Sequence, residues 1–315
     1  MTITYRYAAP RCLLFALATG AAFLGGSQRA SALTFNTAFL TNGGGGAFSQ
    51  ADKDCINSVL ALYSSTFTDN ITVTLQFSNS NSGLGSNGPH FYQDTWANVH
   101  QQMILDATTA DDASALAQLN ALPVTSGNVV FSGANAKALG YSGINDAVDD
   151  VINLNASLCF NNHSAAGAAA NPSKYDLFGV TCHELDECLG SVSGVTFFAN
   201  PTVVDLFRYK KANGSLSGRS FNSNTAEDAW FSIDGVNGLD QYNQLGRTNG
   251  DWGDWAVHNP YQVQDWAGTP GKIADPNVEL RLLDVVGYNR AAVPEPATIA
   301  ALAFGCAAFV RRRRK

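Results

Sequence analysis

The stretch "TCHELDECLG", Thr181–Gly190, decides how this chain is read. Helical spacing sets Phe178, Cys182, Leu185 and Leu189 at i, i+4, i+7 and i+11, a stripe suited to burial against a core. Asn171 is a candidate N-cap, Pro172 suits a first helical position, and Gly190 can end the helix. On another face His183 and Glu187 stand four residues apart, so an imidazole and a carboxylate lie one turn above each other. Such a pair can direct two ligands at one cation. Glu184 projects beside them and is the candidate general base, a carboxylate able to take a proton from water at that cation. The ordinary alternative is a surface His–Glu pair on an amphipathic helix.

A carboxylate in the second ligand position has chemical consequences. Zn²⁺ accepts carboxylate oxygens at about 2.0–2.2 Å, so zinc remains the expected ion. A second anionic group neutralises more of the ion's charge, weakens its Lewis acidity and widens selectivity towards harder cations such as Mn²⁺ or Ca²⁺.

Outward from the motif, the N-terminal half alternates helices and strands. Gln50–Ser65 reads as a helix with Ile56, Val59, Leu60 and Tyr63 on one face. Ile71–Phe77 alternates β-branched residues and reads as a strand, followed by a loop over Ser78–Pro89. Tyr92–Ala107 and Ala110–Leu122 read as helices, with Asp111 and Asp112 in the first turn of the second. "NVVFSG" and "VINLNASLCF" read as strands, the latter as the one bordering a cleft. After the motif the chain turns rich in Gly, Asn, Asp and Trp, which reads as short strands and loops around a site. "VELRLLDVVGY", Val278–Tyr288, is apolar enough to close the core. The fold class is α+β, with a mixed sheet, one site-bearing helix and a loop-rich C-terminal half.

Both ends read as addresses. Arg6 and Arg11 precede an apolar run, Cys12–Gly26, and Ala30-Ser31-Ala32 offers a cleavage site, so residues 1–32 read as a secretory signal peptide. At the other end Pro294-Glu295-Pro296 precedes an apolar run, Ala297–Val310, and the basic cluster Arg311–Lys315. Its 14 residues span roughly 21 Å as a helix, short of the roughly 30 Å hydrocarbon core. This three-part tail, residues 293–315, resembles the PEP-CTERM sorting signal of Gram-negative bacteria. The resemblance implies export, a transient C-terminal anchor with its cations on the cytoplasmic side, recognition by an exosortase, and delivery to the cell surface or beyond.

Residues 33–292 then form the mature domain, long enough for a full core. The whole chain has 19 basic and 26 acidic residues; setting aside the eight basic residues and one acid of the two addresses leaves 11 against 25, near −14. Such a surface repels nucleic acid. Four cysteines remain, Cys55, Cys159, Cys182 and Cys188. An even number in an exported chain predicts two disulfides. Cys182 and Cys188 stand about 9 Å apart along a helix, beyond bridging distance, so each is expected to pair with Cys55 or Cys159 and staple the motif helix.

Beyond the helix, "DLFRY" (Asp205–Tyr209), "SIDG" (Ser232–Gly235), "GDWGDW" (Gly250–Trp255) and "LDVVGY" (Leu283–Tyr288) follow in order. In that order they resemble a group of exported bacterial proteins regarded as metalloproteases, which carry an HExxE helix and PEP-CTERM tails. The resemblance implies a zincin-like fold, hydrolysis of a peptide or protein substrate, His183 and Glu187 as ligands, and Glu184 as base. The metzincin position for a third ligand is Ser193, which serves poorly. The gluzincin position falls near Asp205, 18 residues after Glu187, making Asp205 the first choice and His258 the next. Asp251 and Asp254 read either as Asx-turns beneath the Trp rings or as oxygen ligands for Ca²⁺. Arg208 or Tyr209 would be candidates for stabilising an oxyanion. The expected activity is that of an exported, zinc-dependent endopeptidase. The alternative is a non-catalytic surface protein, with an exopolysaccharide matrix as partner, that keeps the same scaffold.

Overall fold

Ser49 sets the first long helix. Its hydroxyl accepts from the Asp52 amide while the Asp52 carboxylate accepts from the Ser49 amide, a reciprocal cap. That helix, α1 (Gln50–Thr66), follows strand β1 (Thr34–Phe39) and leads into β2 (Thr72–Asn79), which runs parallel to β1. The computed structural model describes residues 32–121, 127–195, 197–221, 227–244, 250–256 and 261–291. The chain continues through β3 (Gly85–Ser86), β4 (Phe91–Thr95), α2 (Trp96–Asp106), α3 (Ala110–Ala121), β5 (Asn128–Ser132), α4 (Gly133–Ala138) and β6 (Asp150–Leu154). Then come β7 (Cys159–Phe160), α5 (Ala165–Ala170), β8 (Tyr175–Asp176) and the motif helix α6 (Leu177–Leu189). Strands β9 (Arg208–Ala212), β10 (Ser215–Arg219), β11 (Ala229–Phe231) and β12 (Asp240–Gln241) precede the last helix, α7 (Asn277–Val285).

The main sheet has the order β1-β2-β6-β3. Its first three strands are parallel, and the two-residue β3 runs antiparallel along the edge of β6. Val73, Leu75 and Phe77 alternate inward on β2, and Ile152 and Leu154 do so on β6. Helices α1 and α6 pack on each other, and α6 lies against β6 and β3. Leu280, Leu282, Leu283 and Val285 of α7, with Val286 and Tyr288, close the core. A separate antiparallel sheet, β10-β9-β11-β12, carries the C-terminal half. The fold is α+β. No helix among the described residues is long and apolar enough to cross a membrane.

Three boundaries differ from the sequence-based expectation, each because long-range pairing prevails over local pattern. Residues 92–95 are strand rather than helix, since Phe91–Thr95 pair with Asn128–Ser132 and Thr95 then caps α2. The loop after β2 contributes the edge strand β3, so the cleft is bordered by Gly85–Ser86 and not by the Val151–Phe160 run, which breaks into β6, a 3-10 turn and β7. The motif helix starts at Leu177 with Asp176 as its cap, because Tyr175–Asp176 pair with Cys159–Phe160. Gly190 does end it, at φ 128°, a conformation a side chain would resist.

The expected disulfides do not form: Cys55, Cys159, Cys182 and Cys188 are all free and buried. Six helical residues rotate Cys182 and Cys188 to different neighbours, Tyr63 and Asp150 respectively. Cys55 and Cys159 instead lie near Asp176, and burial, with that carboxylate's help, pushes each thiol up to about 12. The segment 1–31, the PEP motif and His258 lie outside the described residues.

Candidate metal centre

On the solvent-facing side of α6, His183 and Glu187 meet a residue from the C-terminal half, Asp254. One ligand atom from each lies within 4.8 Å of the other two, the single such grouping among the described residues. His183 Nε2 stands 3.6 Å from Glu187 Oε1 and 3.8 Å from Asp254 Oδ1. Those distances are too long for hydrogen bonds. They are close to the separation of roughly 3.4 Å between ligand atoms around a tetrahedral ion bound at about 2.0–2.1 Å. Asp254 Oδ1 is buried with no hydrogen-bond partner. His183 Nδ1 donates to the Val263 carbonyl at 3.0 Å, which turns Nε2 towards the two carboxylates. Metal-binding histidines are held in this way. Asn87 Nδ2 donates both to Glu187 Oε2 at 2.7 Å and to the Glu184 carbonyl at 2.8 Å, which fixes the second carboxylate.

The electrostatics follow from crowding acids in a dry place. Burial pulls His183 down, but Asp254, Glu187 and Glu184 overcome it and leave the imidazole at about 10. Burial, with Glu187 and Asp251 adding to it, pushes Asp254 up to about 8. Glu187 is raised by burial and Asp251. The two carboxylates resist ionising together and the imidazole answers them by holding a proton, an arrangement that favours positive charge at this point.

Residues that never touch the centre hold it in place. Glu279 of α7 is fully buried, and its Oε1 accepts from Trp255 Nε1 at 2.9 Å and from the Gln264 amide at 3.0 Å. Trp255 follows Asp254, and Gln264 follows Val263, the acceptor for His183; one carboxylate therefore braces two of the three ligands. Gln264 Nε2 also donates to the His183 carbonyl at 2.9 Å. From the other side, Arg208 donates to the Trp252 carbonyl at 2.7 Å and stacks on the Tyr242 ring at 4.4 Å. Glu279→Leu is expected to cost about 2–4 kcal/mol through two orphaned donors. It should also lower affinity for a divalent cation by about 10–100-fold. Glu279→Gln, which keeps an acceptor, should retain most of both. Urea unfolding and chelator-competition titration of the two variants check this.

Glu184 lines a cleft of about 140 Å³ together with His183, Leu84, Gly85 and Tyr261. Its side chain is 5% exposed, and burial dominates in pushing it up to about 8. The edge strand makes room for it by having no side chain at Gly85. A methyl there would overlap Glu184 Oε1 and stand 2.8 Å from the carboxyl carbon. Gly85→Ala is expected to displace the carboxylate, leave cation binding intact and cut any hydrolysis by about 10²-fold, the scale of an ångström-sized misplacement.

Asp205, the expected third ligand, is elsewhere. Its Oδ1 accepts from Ser193, and its Oδ2 accepts from the amides of Gly194 and Thr202 and from the Thr202 hydroxyl. It caps the turn after α6, and it is not among the ligand atoms that converge with His183 and Glu187. Arg208 and Tyr209 are buried, Arg208 against Trp252 and Tyr242 and Tyr209 against Arg219, and neither lines the cleft beside Glu184. Asp251 and Asp254 are joined by one hydrogen bond, the Asp251 amide donating to Asp254 Oδ2 at 3.2 Å, while Asp254 Oδ1 faces His183. His90 and His163 pair with Asp146 and Asp176, and His100 stacks on Trp96, all away from the site.

Residues 292–315 match the PEP-CTERM protein-sorting motif. The chain carries an exosortase sorting signal. It is therefore an exported protein, sorted to the cell surface through its C-terminus and processed by an exosortase. The match covers the tail alone; no curated protein and no solved structure matches this chain.

Proposed function

We propose that residues 33–292 form one zincin-like domain, a metal-dependent peptidase in which His183, Glu187 and Asp254 hold a divalent cation and Glu184 is the general base. The observation that carries this reading is the convergence of half-buried His183 and Glu187 with buried Asp254, the imidazole Nε2 standing 3.6 and 3.8 Å from the two carboxylates with no hydrogen bond to either. Zinc is the first expectation, and the two carboxylates widen the choice towards Mn²⁺. The edge strand β3 beside the site helix supports the zincin-like comparison, since its free side can take an extended peptide as an added strand.

When bound, the cation would polarise a carbonyl and acidify water. The chain's own groups do the rest. Glu184 takes one proton from the attacking water as the oxygen bonds to the scissile carbonyl carbon. The same carboxyl then passes that proton to the leaving amine as the C–N bond breaks. Burial of Glu184 and Asp254 keeps bulk water from competing.

Metal analysis of the purified mature domain, paired with a casein assay with and without chelator, tests the proposal. One equivalent of cation with chelator-sensitive cleavage is expected. A bound cation without cleavage would favour the non-catalytic surface protein, and a domain that binds no divalent cation would remove both the centre and the hydrolase.

A further inference from the structure

Two concavities flank the centre, and they differ in kind. The cleft on the Glu184 side is about 140 Å³. On the Glu187 side a larger one, about 420 Å³, is walled by Pro89, Phe91, Val192, Phe197 and Phe198. Phe197 is 63% exposed and Phe91 is 37% exposed, and Phe198 meets Phe91 edge-on at 4.9 Å. Exposed rings clustered around a hollow, rather than scattered singly, mark a binding surface. The walls come from the two segments that also frame the centre. The segment after β3 carries Asn87, which holds Glu187, and then Pro89 and Phe91; the turn after α6 carries the other three. An extended peptide on the β3 edge would thus place one side chain in this hollow. The three phenyl rings, Pro89 and Val192 make one wall apolar, and a polar group set against that wall would be left unpaired. Glu187 and Asp251, which also line the hollow, repel an acidic occupant.

We infer that this hollow is a specificity pocket for a bulky apolar side chain, aromatic or leucine-like, of a peptide substrate, next to the scissile bond on the Glu187 side. The inference rests on the peptidase reading for its use in catalysis, but the binding it describes does not require a cation.

The test has two arms. In the first, peptides carrying Phe, Leu, Ala or Asp at each position flanking the cleaved bond are offered to the cation-loaded mature domain and to Phe91→Ser and Phe197→Ser. At one flanking position, Phe or Leu should exceed Ala by at least about tenfold in kcat/KM. Asp should be the poorest substrate. The variants should lose that preference, their kcat/KM for the Phe and Leu peptides falling to within about twofold of that for the Ala peptide. Cleavage with no apolar preference, or a preference the variants keep, overturns the pocket and leaves the peptidase standing. In the second arm, calorimetry in chelator measures binding of the Phe and Asp peptides to the same three proteins. Tighter binding of the Phe peptide, lost in the variants, supports the pocket even where no peptide is cleaved and the peptidase reading has failed. Equal binding of the two peptides, or none, overturns it.

Discussion

Asp254→Ala is expected to lower the affinity of the mature domain for zinc by at least about a hundredfold, more than the 10–100-fold typical of an outer-shell loss. Asp205→Ala should leave that affinity unchanged and instead cost about 3 kcal/mol of stability. The contrast follows from what each carboxylate touches. Asp254 Oδ1 has no hydrogen-bond partner and points at His183 and Glu187, whereas both oxygens of Asp205 are taken by Ser193, Gly194 and Thr202. Removing Asp205 orphans buried donors, each worth about 1–3 kcal/mol. Chelator-competition titration and urea unfolding of the two variants separate the effects. An Asp205 variant that lost zinc while Asp254→Ala kept it would reassign the third ligand.

The same titration has a pH signature. A cation must displace the protons that burial and crowding hold at the centre, so affinity should climb as pH rises towards 8 and beyond. The metal-free fold should move the other way. Asp254 is raised from 3.8 to about 8, so its protonated form stabilises the fold below the ordinary value, and that contribution is lost as pH rises to about 8. His183, raised from 6.5 to about 10, acts in the same direction over its own window, fully present below 6.5 and lost through about 10. Saturating cation should remove this decline between pH 4 and 8, which thermal unfolding across that range can follow.

The parts of this chain legible in its sequence are those fixed by local periodicity. Helix α1 occupies Gln50–Thr66 with Ile56, Val59, Leu60 and Tyr63 buried, as the spacing requires. Helix α3 and the inward alternation of β2 were legible for the same reason. Two of the three residues of the candidate centre were legible because an i, i+4 pair on a helix is itself a local geometry. The third was not. Asp254 lies 67 residues beyond Glu187, and no spacing rule reaches that far. Its position depends on Glu279 holding Trp255 and on Arg208 holding Trp252, contacts made only after the C-terminal half folds. A signal was present in "GDWGDW": acids set between tryptophans are carried towards the interior with their neighbours, and a buried acid needs a partner. Asp205 misled because its spacing suited a ligand while its chemistry suited a cap, and spacing says nothing of which donors surround a carboxylate. The thiols misled similarly. The count of four was even, but burial of Cys182 and Cys188 against Tyr63 and Asp150 had already placed them in the core.

Glu184→Gln separates binding from chemistry. The amide has nearly the shape of the carboxylate, so it should sit against Gly85 unchanged and leave His183, Glu187 and Asp254 to bind zinc with wild-type affinity. Cleavage should nonetheless fall by about 10²–10⁴-fold, the usual worth of a positioned base. The pH dependence of wild-type turnover should carry the same residue's mark. Glu184 acts as a base only when ionised, and burial raises it to about 8 in the metal-free fold. A divalent cation beside it favours the carboxylate and draws that value down. The acid limb of the kcat/KM profile should therefore lie below pH 8, with turnover rising through it, and should be missing from the residual activity of the glutamine variant. A variant that turns over peptide at the wild-type rate would leave the carboxylate with a structural part only, as the buried group that Gly85 is small enough to admit.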